Sequence, residues 1–338
     1  MEPNTDHPVT PERIMQLAWG YTPTSVIEAA LEHRVFDLLD GGPRTVAELA
    51  GRTGASPRGL QAILNALVGL QLVIRADGHY GLTEESATFL VSTKPAYYGA
   101  IFRHFYRQLL PNWLQLPEVV RSGKPVRAVN HDGAGAEFFA EFVESLFPLS
   151  YPAAQQLGEH LGLARSNGAV SVLDIGAGSG VWGIALAQQS PQVRVRAVDW
   201  PRVLEITRKV AARHGVAERL TTVAGDLLEV DFGNGHHVAT IGHILHSEGV
   251  ERSRQLLRKT WAALAPGGTV AIMEFLCNDD RTGPPQALLF AVNMLVHTDV
   301  GDTFTFPEIS AWLREAGFVN PRLLEVPAVS PLVLATKP

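Results

Sequence analysis

The chain has 338 residues, of which 46% are apolar and 18% are charged. At about 150 residues per domain, this length and composition predict about two globular domains and exclude a disordered chain or a small disulfide-stapled one. The 28 Lys and Arg residues are outnumbered by 34 Asp and Glu residues, and the net charge of −6 argues against electrostatic coating of nucleic acid. The single cysteine, Cys277, cannot form an internal disulfide, so we expect a reducing, cytoplasmic setting.

The amino terminus does not have the pattern of a signal peptide, and the apolar runs do not have that of a membrane-spanning helix. Glu2, Asp6 and Glu12 lie where a signal peptide would need a basic segment followed by an apolar one. The uncharged apolar run at residues 282–298 contains two prolines and is shorter than the roughly 20 residues that span a bilayer. We therefore expect no membrane partner.

The first zone, residues 1–95, has the pattern of a winged helix. A capping box of Thr45 and Glu48 begins one short helix, and Ser56 followed by Pro57 begins another. Three helices and two short strands are predicted, at residues 25–39, 45–50, 56–70, 72–74 and 80–82. The order is helix, turn, helix and hairpin.

Many winged-helix domains bind DNA, but the balance of charges in this zone argues against DNA binding. Residues 34–94 carry six basic and six acidic side chains, and Arg58 is the one cation on the helix that would read the groove. A DNA reader needs a basic face for phosphates. We therefore predict packing or dimerisation for this zone and no nucleic-acid partner.

The rest of the chain divides into a helical zone, residues 96–165, and an α/β zone, residues 166–338. The helical zone is rich in aromatic side chains, some of which can line an apolar pocket. In the α/β zone, strands are predicted at 170–175, 193–198, 220–223, 237–242, 269–275, 322–326 and 332–336. Helices are predicted at 181–189, 203–214, 253–264 and 308–316. This alternation predicts an α/β, Rossmann-like doubly wound domain, and its last two strands predict an antiparallel C-terminal edge.

The strongest chemical signal is a strand that runs into a glycine loop at Gly176, Gly178 and Gly180. Glycines let the backbone turn tightly near a ligand, and the next helix presents free N–H groups. Asp199 ends the second strand, 19 positions after Gly180, where a carboxylate accepts hydrogen bonds from ribose hydroxyls. These features suit NAD and S-adenosylmethionine equally.

Three further features favour the methyl donor. Asp174 precedes the glycines and is placed to hold the donor's cationic amino end, whereas a carboxylate there would repel a pyrophosphate. Asp226 follows the third strand, where it can take the amino group of adenine. A Pro-Gly-Gly turn at residues 266–268 precedes the fifth strand.

With these motifs, residues 15–338 resemble the class I S-adenosylmethionine-dependent small-molecule O-methyltransferases of the caffeic acid and hydroxyindole type, which carry an N-terminal winged-helix dimerisation domain. The resemblance implies a homodimer and a small, aromatic or planar hydroxylated acceptor. It also implies that the donor is bound by the following residues: Ser150, Asp174, Gly176, Gly178, Asp199, Trp200, Asp226 and Leu227.

The resemblance implies His246 as the catalytic base and places Phe147, Phe290, Met294 and His297 around the acceptor. The acidic residues that orient the histidine in the family are missing, because Ser247 and Thr303 occupy their positions. The substitutes weighed are Glu248, Glu251, Asp299 and Asp302.

Several alternatives stay open at this stage. His246 and His297, completed by Asp299 or Glu248, could hold a metal for carbon methylation. We nevertheless expect no metal, because a histidine at the position of His297 is also common in O-methylating relatives. Nitrogen methylation, a cofactor-sensing winged-helix regulator and an NAD-dependent oxidoreductase are the other hypotheses.

Overall fold

The computed structural model describes residues 9–129, 138–139 and 142–338, so Glu2 and Asp6 lie outside the described residues. The chain forms two compact units, residues 1–109 and 110–338, and the division falls inside the second predicted zone, 96–165. None of the described helices combines the length and the apolar character that crossing a bilayer requires.

The first unit is mostly helical. Its helices are α1 (Glu12–Ala18), α2 (Thr22–Glu32), α3 (Val35–Asp40), α4 (Val46–Thr53), α5 (Pro57–Gly69), α6 (Glu84–Phe89) and α7 (Gly99–His104), followed by a π-helical turn at Phe105–Leu109. Strands β1 (Val73–Ala76) and β2 (His79–Leu82) form an antiparallel hairpin. This order confirms the winged-helix prediction.

Two predicted features of this unit have different outcomes. The capping box is confirmed, because the Thr45 hydroxyl accepts the N–H of Glu48 while the Glu48 carboxylate accepts the N–H of Thr45. The single helix predicted at 25–39 is wrong, since the backbone turns left-handed at Arg34, with φ of 54°, and separates α2 from α3. Apolar faces of α5, α3 and the hairpin form the core of the unit.

The second unit is a seven-stranded sheet with helices around it. Its strands are β3 (Val170–Ile175), β4 (Val193–Asp199), β5 (Leu220–Ala224), β6 (His236–Gly242), β7 (Leu264–Met273), β8 (Val319–Leu324) and β9 (Leu332–Thr336). Its helices are α8 (Leu110–Trp113), α9 (Leu116–Ser122), α10 (Phe147–His160), α11 (Val181–Gln189), α12 (Pro201–Arg213), α13 (Leu245–Ala263), α14 (Pro285–His297) and α15 (Phe306–Glu315). Short 3₁₀ turns occur at Val143–Leu146, Leu163–Arg165 and Ala217–Arg219.

The sheet order is β5-β4-β3-β6-β7-β9-β8. The first five strands are parallel, and β9 pairs antiparallel with both β7 and β8, which confirms the predicted edge. The central strands are mostly apolar because helices bury both faces of the sheet. The helix predicted at 253–264 begins earlier, at Leu245, and bends at Gly249, where φ is 70° and ψ is 178°.

The topology fixes where a ligand binds. The chain moves from β3 outward to β4 and β5, then returns to the other side of β3 as β6. Ligands of open parallel sheets bind at the carboxyl ends of the strands where the order reverses. In this sheet that point lies between β3 and β6, where the glycine loop and the segment after Gly242 emerge.

Candidate active site

A cavity opens at the carboxyl ends of the parallel strands. Backbone and side chains from four strand ends and the turn before α10 surround it. Its lining includes Phe139, Val143, Leu146, Ser150, Gly176, Ala177, Gly178, Ser179, Trp182, Asp199, Trp200, Gly225, Asp226, Leu227, Gly242, His243, Ile244, Ser247, Glu248 and Arg252. Seven of the eight predicted donor-binding residues are in this set.

The glycine loop needs its glycines at this place. Gly176 and Gly178 have positive φ values of 63° and 56°, a conformation that side chains disfavour. A Cβ atom on Gly176 would lie 2.3 Å from Cδ1 of Ile244, so the loop packs directly against the segment after β6. All four residues from Gly176 to Ser179 line the cavity.

Asp199 presents a carboxylate to the cavity from the end of β4. Its two oxygens accept the N–H of Gly178 at 2.8 Å and of Trp200 at 2.7 Å. Burial raises the pKa of Asp199 to about 6, although these two hydrogen bonds act in the opposite direction. Each oxygen keeps a lone pair, so the carboxylate can accept two ribose hydroxyls.

Asp226 also lines the cavity and follows β5, the strand next to β4. One oxygen accepts the N–H of Leu228 at 2.8 Å, and the other accepts a hydrogen bond from the guanidinium of Arg252 at 2.8 Å. Arg252 is held in turn by Glu248, one helical turn earlier on α13. The ion pair with Arg252 orients the carboxylate of Asp226, and each of its oxygens keeps a lone pair that can accept the amino group of an adenine ring.

Asp174 is placed differently from the prediction. The residue is fully buried in β3, where its carboxylate accepts the N–H of Gly183 at 3.0 Å and the hydroxyl of Thr240 at 2.8 Å. Burial raises its pKa to about 7, against the effect of both hydrogen bonds. The structure corrects the prediction of direct donor contact, because this carboxyl group ties α11 and β6 to β3 beneath the loop.

The predicted base, His246, lies in the first turn of α13, beside the cavity. Its Nδ1 atom is 2.7 Å from a carboxylate oxygen of Glu274, and its backbone N–H donates to the other oxygen at 3.3 Å. Burial alone would raise the pKa of Glu274, but the attraction that a protonated His246 ring exerts and the hydrogen bonds from His246 lower the pKa of Glu274 overall. Because a carboxylate only accepts, Nδ1 carries its hydrogen and Nε2 is left as the basic atom.

Glu274 is the acidic residue that orients His246, and it was not among the four substitutes predicted from the sequence. Of the four substitutes weighed, Glu248 pairs with Arg252, Glu251 with Arg254 and Asp302 with Arg281. The signal for Glu274 was a carboxylate directly after the apolar strand β7. Since β7 pairs in parallel with β6, its end lies next to the segment that carries the histidine.

Aromatic side chains surround the base. Phe290 on α14 meets His246 edge to face, with ring centroids 4.9 Å apart. Phe275 stacks on Phe290 at 4.0 Å and lies 4.9 Å from the ring of His243. His246 therefore faces an apolar environment of aromatic rings, against which the planar ring of an acceptor can pack.

His297 does not fit the metal alternative. Its Nδ1 atom bonds the carbonyl oxygen of Asn293 at 2.9 Å and must donate, so Nε2 accepts from the amide of Asn112 at 3.0 Å. Both ring nitrogens are occupied, and no lone pair is left for a metal ion shared with His246. Within the described residues, the metal-competent group is a different one, formed by His246, His243 and Glu274.

Two further residues, Met294 and Phe147, were predicted to contact the acceptor, and the structure places them differently. Met294 is buried on the same helix as Phe290, so its contact with an acceptor stays a prediction. Phe147 lies elsewhere, because its ring stacks with Tyr151 at 5.2 Å and with His214 at 4.5 Å. The structure therefore corrects the placement of Phe147 in the acceptor pocket.

Comparison with known proteins identifies the class that this fold and cavity define. Residues 154–319 match the O-methyltransferase domain model, and residues 15–92 match the O-methyltransferase dimerisation domain model. Among curated relatives, the 3-hydroxy-5-methyl-1-naphthoate 3-O-methyltransferase of Streptomyces sahachiroi is 33% identical over 313 residues, covering 91% of this chain and 89% of the relative. The chain belongs to this O-methyltransferase family.

Solved structures agree with this assignment. A putative O-methyltransferase from Nostoc punctiforme superimposes with a TM-score of 0.89 and 30% identity, covering 98% of this chain and 100% of that one. The S-adenosyl-L-methionine-dependent methyltransferase PigF of a Serratia species, solved with S-adenosylhomocysteine, has a TM-score of 0.83 and 26% identity, covering 98% of this chain and 100% of that one. The protein is an S-adenosylmethionine-dependent methyltransferase, which sets aside the NAD hypothesis.

Proposed function

We propose that the protein transfers a methyl group from S-adenosylmethionine to a hydroxyl of a small aromatic acceptor, with His246 as the base. The observation that carries this proposal is the buried pair of His246 and Glu274 directly beside the donor cavity. A base held in one tautomer next to the donor suits proton removal from an acceptor oxygen.

The donor's parts correspond to the groups that line the cavity. Asp199 would accept its two ribose hydroxyls, and Asp226 with Leu227 would hold the adenine ring. The glycine loop and Ser150 would contact the amino-acid end. Bound there, the donor supplies an electrophilic methyl group on a sulfonium.

The chain's own residues supply orientation and a proton acceptor. The acceptor oxygen forms a bond to the methyl carbon while the sulfur–methyl bond breaks and its electron pair returns to sulfur. The hydroxyl proton passes to Nε2 of His246, and the resulting imidazolium is stabilised by the carboxylate of Glu274. Alignment of the acceptor supplies much of the rate enhancement, because the displacement requires an in-line approach.

Two observations support an aromatic acceptor. Phe275 and Phe290 present stacked rings next to the base. The Streptomyces sahachiroi relative is named for a hydroxynaphthoate. A fused-ring phenol or hydroxyaryl carboxylate is therefore the acceptor class that we propose, and the O-methyltransferase family model favours oxygen over carbon or nitrogen as the methylated atom.

The test has a binding step and a turnover step. Calorimetric titration with S-adenosylmethionine and S-adenosylhomocysteine should give one donor site per chain. Incubation with S-adenosylmethionine and 2-naphthol, 3-hydroxy-2-naphthoate or 2-naphthylamine, followed by mass spectrometry, should give methyl ethers and no N-methyl product. Donor binding with methylation of the amine alone would contradict the proposed chemistry.

We also propose that the chain forms a homodimer through residues 15–92, which match the family's dimerisation domain. Helix α1 buries none of its residues within one chain. Ile14, Leu17, Trp19 and Tyr21 are each at least 60% exposed. An apolar face of this kind is typical of an interface. A cytoplasmic location stays a prediction from the single cysteine.

A further inference from the structure

The ends of β6 and β7 bring together three side chains that can bind a metal. Gly242 pairs with Met273 across the parallel strands, and the N–H of His243 donates to the carbonyl of Met273 at 2.8 Å. His243 and Glu274 therefore leave the sheet side by side, and His246 follows one turn later. A ring nitrogen of each histidine and a carboxylate oxygen of Glu274 lie within 4.8 Å of one another.

His243 has two features that methyl transfer does not explain. Its Nδ1 atom is buried, and in the described part of the chain it has no hydrogen-bond partner. Its backbone lies in the left-handed region, with φ of 61°, which is unusual for a residue with a side chain. Unpaired buried polar atoms and strained backbone persist mainly where a ligand or a function requires them.

We propose that His243, His246 and Glu274 bind one divalent transition-metal ion of the zinc type. Two imidazole nitrogens and one carboxylate oxygen are a donor set that Zn²⁺, Co²⁺ and Fe²⁺ accept. An ion at their centre would supply the partner that Nδ1 of His243 lacks. The group differs from the pair of His246 and His297 considered above, because the nitrogens of His297 are occupied.

The consequence for activity rests on the proposed function. An ion at this site takes the carboxylate that holds His246 and coordinates the ring through Nδ1. The neutral ring then carries its hydrogen on Nε2 and cannot accept the proton of the acceptor hydroxyl. The bound ion is thus an inhibitor of methyl transfer that leaves the donor cavity formed.

Metal binding is measured first, on the full chain freed of any histidine tag and treated with EDTA. Calorimetric titration with Zn²⁺ and absorption spectra with Co²⁺ should show one ion per chain. His243→Asn and Glu274→Gln should each weaken Zn²⁺ binding at least about tenfold. The control His160→Asn, at an exposed histidine of α10, should match the wild type. Circular dichroism and the melting temperature of each variant show that the fold is retained.

Activity is measured second, with 2-naphthol and a range of Zn²⁺ concentrations. Zn²⁺ should inhibit wild type and His160→Asn, and inhibition of His243→Asn, relative to its own metal-free rate, should need at least about tenfold more ion. Absence of Zn²⁺ binding, or equal affinity in wild type and His243→Asn, overturns the metal site. Loss of S-adenosylhomocysteine binding in the wild type with intact Zn²⁺ binding would instead refute the proposed function.

Discussion

Single residues decide the chemistry of this site. Glu274 is a buried carboxylate, and such a group is tolerated only with a charged or hydrogen-bonding partner. His246 supplies that partner through both its ring and its backbone N–H. The arrangement fixes the tautomer of the base, so losing either member changes proton transfer more than donor binding.

Replacing the base tests this directly. His246→Ala should lower kcat by about 10² to 10⁴ while leaving the affinity for S-adenosylhomocysteine within about twofold, because the residue does not line the donor cavity. Glu274→Gln should lower kcat less, since the amide can still bond the ring. The measurements are steady-state turnover and calorimetry, with exposed His160→Ala as the control. Unchanged turnover in His246→Ala would remove this residue from the mechanism.

Donor binding should depend on pH through Asp199. Burial raises the pKa of this carboxyl to about 6, and its ionised form is the one that accepts both ribose hydroxyls. Affinity for S-adenosylhomocysteine should therefore be constant above about pH 7 and fall by up to about tenfold per pH unit below pH 6. Asp199→Asn should bind weakly with a flat pH profile. A wild-type profile that stays flat down to pH 5 would contradict this role.

At the scale of elements, a buried carboxyl joins β3, α11 and β6. Asp174 bonds Gly183 of α11 and Thr240 of β6, and burial raises its pKa from 3.8 to about 7. The folded state thus binds a proton more tightly than the unfolded state. The contribution of this group to stability is present below about pH 4 and is lost as the pH rises through about 7.

Asp174→Asn should remove that pH dependence. The amide can accept from Gly183 and donate to Thr240, so the hydrogen bonds survive without a charge. The melting temperature of the variant relative to wild type should be higher at pH 8.5 than at pH 5.5. Asp174→Leu, which leaves both partners unpaired, should be destabilised at both values. A pH-independent difference for Asp174→Asn would show that the carboxyl does not titrate in this range.

The elements differ in how far the sequence predicts them. Six of the seven strands are predicted to within three residues, because runs of apolar residues are a local signal. Strand β7 is different, since it begins at Leu264 and includes residues 266–268, which were predicted as a turn before it. The break at Arg34 was missed, since a left-handed arginine has no local signature. The pairing of His246 with Glu274 was also missed, because the two residues are 28 positions apart and meet only through the register of β6 and β7.

At the scale of the whole molecule, the unexplained surface is the amino-terminal helix. An isolated seven-residue helix is not stable in water, and α1 buries no residue within its own chain. Its apolar side chains therefore need a covering surface. The family's dimerisation segment begins at residue 15, within this helix, so the second copy of the chain is the partner we propose.

A charged residue among the exposed apolar side chains of α1 should dissociate the proposed homodimer. Leu17→Glu places a carboxylate at a residue that is 72% exposed in one chain, so folding of the chain tolerates it while a buried interface does not. Light scattering after size exclusion should give twice the chain mass of 36.6 kDa for wild type and 36.6 kDa for the variant. Leu114→Glu, at a leucine 76% exposed outside the matched segment, should stay dimeric. A monomeric wild type, or a Leu17→Glu variant that stays dimeric, would assign α1 another role.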